Sequence, residues 1–322
     1  MGGNSAAGTG RVRGASPGLD VPRVLAAVDI TAVEAALTRW VIGRQARWRQ
    51  QRPADTTAAE ARTVLAVDGK TLRGSRDGNG QQTKLVSVYD HAHQLVLTQA
   101  PVAGGDELAA FNVALATLPD LGGVLITADA LHCQRAHADF LAERGGHYLF
   151  TVKGNQPLLR AALRRLPWAH APGICRRGTG HGRRESRSVK VIDLGGTDVQ
   201  ALFPRARRAD KVIPRRRVGT AKPSVEVVYA VTSLDHRAAD PQLLARWLQG
   251  HWAIENRVHH VRDVTQREDA SRIRLGTGPQ MMAALRNTAT IIARLGGHHN
   301  IAAAQRTASW SPTAITAALN TA

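Results

Sequence analysis

Three acidic residues stand out by their placement. Asp68 closes the apolar run at 63–67 and is followed by Gly69 and Lys70. Asp129 closes a second run at 123–128, and Glu255 lies far downstream in a helical pattern. Apolar runs of this length bounded by Gly read as buried strands. Each Asp is thereby delivered to a strand end, at the rim of the core, where a carboxylate is held firmly yet still meets solvent. A single Asp before Gly is also ordinary turn chemistry. The repeat of the pattern and the third acid turn the reading toward a site. Clustered carboxylates raise one another's pKa unless they are neutralised. Hard divalent ions are the usual resolution, chiefly Mg2+, with Mn2+ able to replace it. Two such ions roughly 4 Å apart can clamp the attacking and leaving oxygens of an in-line phosphoryl displacement.

The elements that must position these acids are legible in outline. A capping-box pattern at Thr31 and Glu34 opens a helix with Val33, Ala36, Leu37, Trp40 and Val41 at helical spacing. Residues 84–89 and 94–100 read as two strands that complete an antiparallel meander with the Asp68 strand. Asp106 is positioned to cap a helix carrying Leu108, Phe111, Leu115 and Leu118 on one face. Helix, strand and helix follow Asp129 up to residue 166, a mixed α/β rhythm. Residues 183–191 alternate like a half-exposed strand, and 225–231 form another. A long helix is expected from Pro241 to about Arg262. Its core face bears Leu244, Trp247, Leu248, Ile254, Val258 and Val261, and an adjoining stripe bears His251, Glu255, His259 and Arg262. An apolar helix at 279–295 precedes a weakly patterned end.

Charge narrows the partner. The 322 residues include 43 Lys and Arg against 25 Asp and Glu, a formal net charge of +18. Between Arg160 and Lys222 there are 17 Lys and Arg against 4 Asp and Glu. A uniform drift in composition would not concentrate the surplus so, and a polyanion such as nucleic acid is the expected partner. The 43% hydrophobic content excludes global disorder. No run of about eighteen apolar residues suggests a membrane span. The Gly-, Ala- and Ser-rich start reads as a flexible tail and not as a secretory signal. Two cysteines, Cys133 and Cys175, make no disulfide framework and agree with a reducing, cytoplasmic setting; with DNA as the expected partner, the expected location is cytoplasmic and nucleoid-associated. The histidines at 132, 251, 259 and 260 have no recognised spacing for a closed zinc site. Trp247 and Trp252 read first as core residues, Trp252 being the better candidate for a functional one.

Ordered motifs carry a family resemblance. Val67-Asp68-Gly69-Lys70-Thr71-Leu72-Arg73-Gly74-Ser75, Thr127-Ala128-Asp129-Ala130-Leu131-His132-Cys133-Gln134 and Val152-Lys153-Gly154-Asn155-Gln156 come first. His251-Trp252-Ala253-Ile254-Glu255-Asn256, with His259 and Val261-Arg262-Asp263-Val264, completes the set. Together they resemble the ISAs1-type, H-repeat-associated transposases, within the IS4-like DDE transposases, over roughly residues 22–295. The resemblance implies an α/β fold: a ribonuclease-H-like mixed sheet flanked by helices, with a basic β-rich insertion before the last catalytic helix. It implies metal-dependent cleavage at element ends and transfer of the freed 3′-hydroxyl to target DNA. Asp68, Asp129 and Glu255 take the catalytic and metal-ligand roles. Lys70, Arg73, Lys153, Asn155, Gln156, His251, Arg257 and Arg262 are the expected DNA contacts. His251 stands where many relatives have Arg, which keeps a donor but makes its charge pH-dependent.

The expected organisation is a tail at 1–20, a helical segment and linker at 21–60, and the first part of the core at 61–168. The basic insertion follows at 169–238, the catalytic helix and the rest of the core at 239–296, and a second tail at 297–322. DNA is the expected partner, with self-association on it and no membrane. Two departures are noted. Gln266-Arg267 stands where an aromatic and a small residue are usual. Family members also carry some tens of further residues ahead of the matched region, so a remnant that only binds DNA is the alternative expectation.

Overall fold

The computed structural model describes residues 21–50, 57, 59–180, 183–218 and 222–310. The expected tail at 1–20, part of the expected linker and the last part of the second tail lie outside these residues. Helices α1 (Val21–Ala27) and α2 (Ile30–Gln50) come first. The cap of α2 is Asp29 rather than Thr31: its Oδ1 accepts from the backbone N–H of Thr31 at 2.9 Å and of Ala32 at 3.3 Å. Glu34 does not complete a capping box, because Gln99 and Gln280 donate to its carboxylate.

Strands β1 (Val64–Thr71), β2 (Lys84–Asp90) and β3 (Leu95–Pro101) form the antiparallel meander. Helix α3 (Glu107–Ala116), capped by Asp106 onto Ala109 at 2.9 Å, leads to β4 (Leu125–Ala128), which runs parallel to β1. Helix α4 (Arg135–Glu143) then leads to β5 (His147–Val152), parallel to β4. The order β3-β2-β1-β4-β5, with an antiparallel meander joined to two parallel strands, is a ribonuclease-H-like arrangement. β1 and β4 are apolar without alternation because both faces of this central sheet are covered. Leu65, Val67 and Ile126 pack toward α3 and α4, with Phe111, Leu115 and Leu141. Ala66 packs the other way, against Ile254 and Val258.

After α5 (Pro157–Arg165), the basic region builds β6 (Gly173–Gly180), β7 (Arg183–Asp193), α6 (Asp198–Leu202), β8 (Arg208–Val218), β9 (Ser224–Val225) and β10 (Val228–Thr232). It is β-rich as expected, and it continues the same sheet. β10 pairs antiparallel with β5, and the full order is β3-β2-β1-β4-β5-β10-β8-β7-β6, with β9 beside β8. Val189, Val191 and Val212 bury themselves in one apolar cluster with Leu244 and Trp247 of the next helix. Farther along the same strands, the side chains turn basic and leave the core.

Helix α7 (Pro241–His251) starts with Pro241 at its first turn and Asp240 capping Leu243 at 2.7 Å. The expected α-helix to Arg262 stops being α at His251. The path continues as two π turns, Glu255–His259 and Val261–Thr265, in which the N–H of His260 reaches the Glu255 carbonyl. Helix α8 (Gly278–Leu295) follows as expected. The region after it holds a further helix, α9 (Ile301–Trp310), started by Asn300 and anchored by buried Ile301 and Ala304. Cys133 is buried, Cys175 exposed, and both are free thiols. No helix among the described residues is long and apolar enough to cross a membrane.

Candidate active site

The parallel register of β1 and β4 sets Val67 opposite Ala128, so Asp68 and Asp129 come at the same end of neighbouring strands. Such strands lie about 4.8 Å apart. Asp129 is fixed by its turn, its Oδ1 accepting from the N–H of Leu131 at 3.0 Å and of His132 at 3.4 Å. Asp68 Oδ1 accepts from the N–H of Gly69 at 2.9 Å. Glu255 is brought over this end by the first π turn. Single π turns inside helices recur at functional sites, where the extra residue re-aims side chains.

The carboxylates share a cleft of about 430 Å³ whose lining includes Asp68, Asp129, Glu255, Lys153, Arg187 and Trp252. His259 joins them from the π turn. Its Nδ1 lies 2.8 Å from Glu255 Oε2 and 3.6 Å from Asp68 Oδ2. Asp68, Glu255 and His259 each present one donor atom, all within 4.8 Å of one another. The electrostatics agree with a site built for a cation. Burial pushes the Asp68 carboxyl up to about 6, with His259 opposing and the Asp129 and Glu255 charges adding. Glu255 is held below the ordinary carboxylate range, first by its hydrogen bond with His259. Two carboxylates and an imidazole at these separations, with a third carboxylate on the neighbouring strand, fit a divalent ion.

The expected DNA contacts divide. Arg73, Lys153 and Arg257 are exposed, and Lys153 lines the cleft. Lys70 is turned inward: it is 7% exposed, and its Nζ lies 2.7 Å from both carboxylate oxygens of Asp263. Arg262 is 1% exposed and donates to Glu268 from Nε at 3.0 and 3.1 Å and from Nη2 at 2.9 Å. Neither cation is free for a phosphate, which corrects both expectations. His251 is likewise corrected. It is buried beside Thr127, with Nδ1 3.2 Å from the hydroxyl, and burial drives its pKa down to about 4, so it is neutral at physiological pH. Asn155 and Gln156 use their amide groups to hold the segment after β4, donating to the carbonyls of Ala130 and Cys133. They brace the turn that carries Asp129 instead of reaching outward.

His259 lay on the expected stripe, but sequence reasoning gave it no role. Its spacing of four from Glu255 was the signal. Glu107 was missed as well. Its carboxylate lies behind Gly69, paired with Lys84, so closely that a Cβ on Gly69 would sit 1.9 Å from Glu107 Oε1. Nothing in the local pattern announces that approach. Trp247 is buried at 6% exposure, whereas Trp252 is 61% exposed at the cleft.

Residues 59–292 match the family described as the transposase DDE domain. The chain belongs to that family. Among curated relatives, "Putative protein YbfL" of Escherichia coli (strain K12) is 30% identical over 249 residues, covering 73% of this chain and 65% of that protein. "H repeat-associated putative transposase YhhI" of the same strain has the same identity and coverage. This member of the DDE domain family therefore spans about 65% of the length of these relatives. A solved piggyBac transposase synaptic complex with hairpin DNA aligns with a TM-score of 0.40 at 13% identity, over 80% of this chain and 54% of that one.

Proposed function

We propose that this DDE-family chain is an insertion-sequence transposase that cleaves DNA at element ends and transfers the resulting 3′-hydroxyl to target DNA. The observation that carries the reading is the meeting of Asp68, Asp129 and Glu255 in one cleft at the end of β1 and β4. Asp68, on the strand next to that of Asp129 and with a donor atom within 4.8 Å of one on Glu255, would be the carboxylate that both metal positions share. Asp129 would complete one position and Glu255 the other. Mg2+, or Mn2+ in its place, would supply Lewis-acid stabilisation of the attacking and leaving oxygens. The chain's own groups do the rest. The turns at Gly69 and Leu131 fix the carboxylates of Asp68 and Asp129, and His259 holds Glu255 in place.

DNA would lie along a basic track leading out of the cleft. Lys153 stands at its inner end. Arg187 of β7 faces Pro214 of β8 and Arg176 of β6, so Arg176 and Arg187 project on one face, and Arg216 lies two residues beyond Pro214 on that same face. Exposed Trp252 is available for stacking on an unpaired base. Self-association on DNA and a cytoplasmic, nucleoid-associated location belong to the same reading.

The test is nicking of supercoiled plasmid by the purified protein with Mg2+ or Mn2+, alongside Asp68→Ala. Wild type should nick and the variant should not; equal activity of the two would overturn the proposal. Joining of pre-cut ends to a target then separates a transposase from a nuclease.

A further inference from the structure

The donor atoms that lie closest together in this cleft are not those of the three acids. They belong to Asp68, Glu255 and His259. From this geometry we infer that His259 is a direct ligand of the divalent ion held between Asp68 and Glu255, giving that ion a mixed carboxylate and imidazole set. The inference rests on the metal-dependent reading above and goes beyond it in naming a nitrogen ligand.

The distances carry the argument. Ligands about 2.1 Å from an octahedral ion are separated by about 3.0 Å when adjacent and about 4.2 Å when opposite. His259 Nδ1 lies 2.8 Å from Glu255 Oε2 and 3.6 Å from Asp68 Oδ2, within a few tenths of an ångström of that range. The imidazole is also fixed in place, being 3% exposed on a π turn packed through Val258 and Ile254 onto β1. Its Nε2 is buried with no hydrogen-bond partner among the described residues. Binding through Nδ1 would need the tautomer protonated on Nε2: the proton that Nδ1 shares with Glu255 Oε2 at 2.8 Å would pass to solvent and Nε2 would take one up, so the ring stays neutral and the ion would stand in place of that hydrogen bond. An imidazole in the set favours a softer divalent ion over Mg2+ at this position, while the position completed by Asp129 stays all-oxygen.

The experiment is pulsed electron paramagnetic resonance on the full chain loaded with Mn2+, supported by calorimetric titration with Mn2+ and with Mg2+. Wild type should show nitrogen hyperfine coupling to bound Mn2+. His259→Ala should lose the coupling and about tenfold or more in Mn2+ affinity, with a smaller loss for Mg2+. His251→Gln, which removes the other imidazole at the cleft, should retain the coupling. His259→Asn keeps a polar donor near the Nδ1 position and guards against simple misfolding. It should melt like wild type, bind Mn2+ and show no coupling. Mn2+ bound in an Asp68-dependent way without nitrogen coupling would overturn the ligand role of His259 and leave the metal-dependent reading standing. Mn2+ binding that is absent, or unaffected by Asp68→Ala, would overturn both.

Discussion

Replacing Arg262 by Ala decides between two roles for a basic residue seven positions after Glu255. Its guanidinium makes three contacts with Glu268 at 2.9–3.1 Å, and Glu268 is itself only 2% exposed. Arg262→Ala leaves that buried carboxylate with Arg286 alone, at 3.3 Å. Removing one partner of a buried ion pair costs about 3–5 kcal/mol, most of it the penalty of the stranded charge. At about 2–4 °C per kcal/mol for a large domain, Tm should fall by about 6–20 °C. Arg262→Met combined with Glu268→Leu should recover most of that loss, since the charge is no longer stranded. Thermal melting gives the stability, and duplex-DNA binding at several salt concentrations gives the number of phosphate contacts. A residue that touched DNA would behave oppositely, lowering the salt slope by about 0.9 while leaving Tm alone. A Tm within 2 °C of wild type, together with that change in slope, would refute the buried role.

The remaining tests address the site and its surroundings. Asp68 has a folded pKa near 6 against an ordinary value of 3.8. The stability linked to its proton is therefore fully present below about pH 4 and lost as pH rises through 6. For the ion-free protein this amounts to about 3 kcal/mol at most. Melting curves from pH 4 to 7 should show the decline, Asp68→Asn should flatten it, and added Mg2+ should reverse it by favouring the carboxylate. Gly69→Ala drives a methyl onto the buried Glu107 carboxylate and should cost about 1–3 kcal/mol in urea unfolding, weakening nicking as Asp68 shifts with its strand. Arg176, Arg187 and Arg216 changed together to Ala should reduce the salt slope of DNA binding by about 2–3 with little change in Tm. An unchanged slope would remove the basic track from the interface.

What was legible in the sequence was local. Apolar runs closed by Asp, the Asp106 cap and the meander depend on neighbours a few residues away, and those elements form where the pattern places them. What was hidden depends on distant partners. Lys70 reads as a free cation until the chain returns 193 residues later with Asp263. Arg262 and His251 have the right type for phosphate binding, and only burial shows that one is paired and the other neutral. The π turns are equally invisible in composition. Their hydrogen-bond register accompanies the burial of Ile254 and Val258 against β1, and that register aims Glu255 and His259 at Asp68. The basic region was recognisable as strands, but its pairing with β5 joins segments far apart along the chain, which no local alternation encodes.

That continuity leaves β6 as the outermost strand, its far side unpaired by any other strand among the described residues. A bare main-chain ladder is an invitation to a second copy, and Arg176 and Arg177 on this strand answer it with like-charge repulsion. The guard is only as good as the ionic conditions around it. Anything that neutralises the arginines, whether concentrated salt or a nucleic acid laid across them, also removes what keeps two such margins from zipping together, so precipitation and assembly would be governed by the same few side chains.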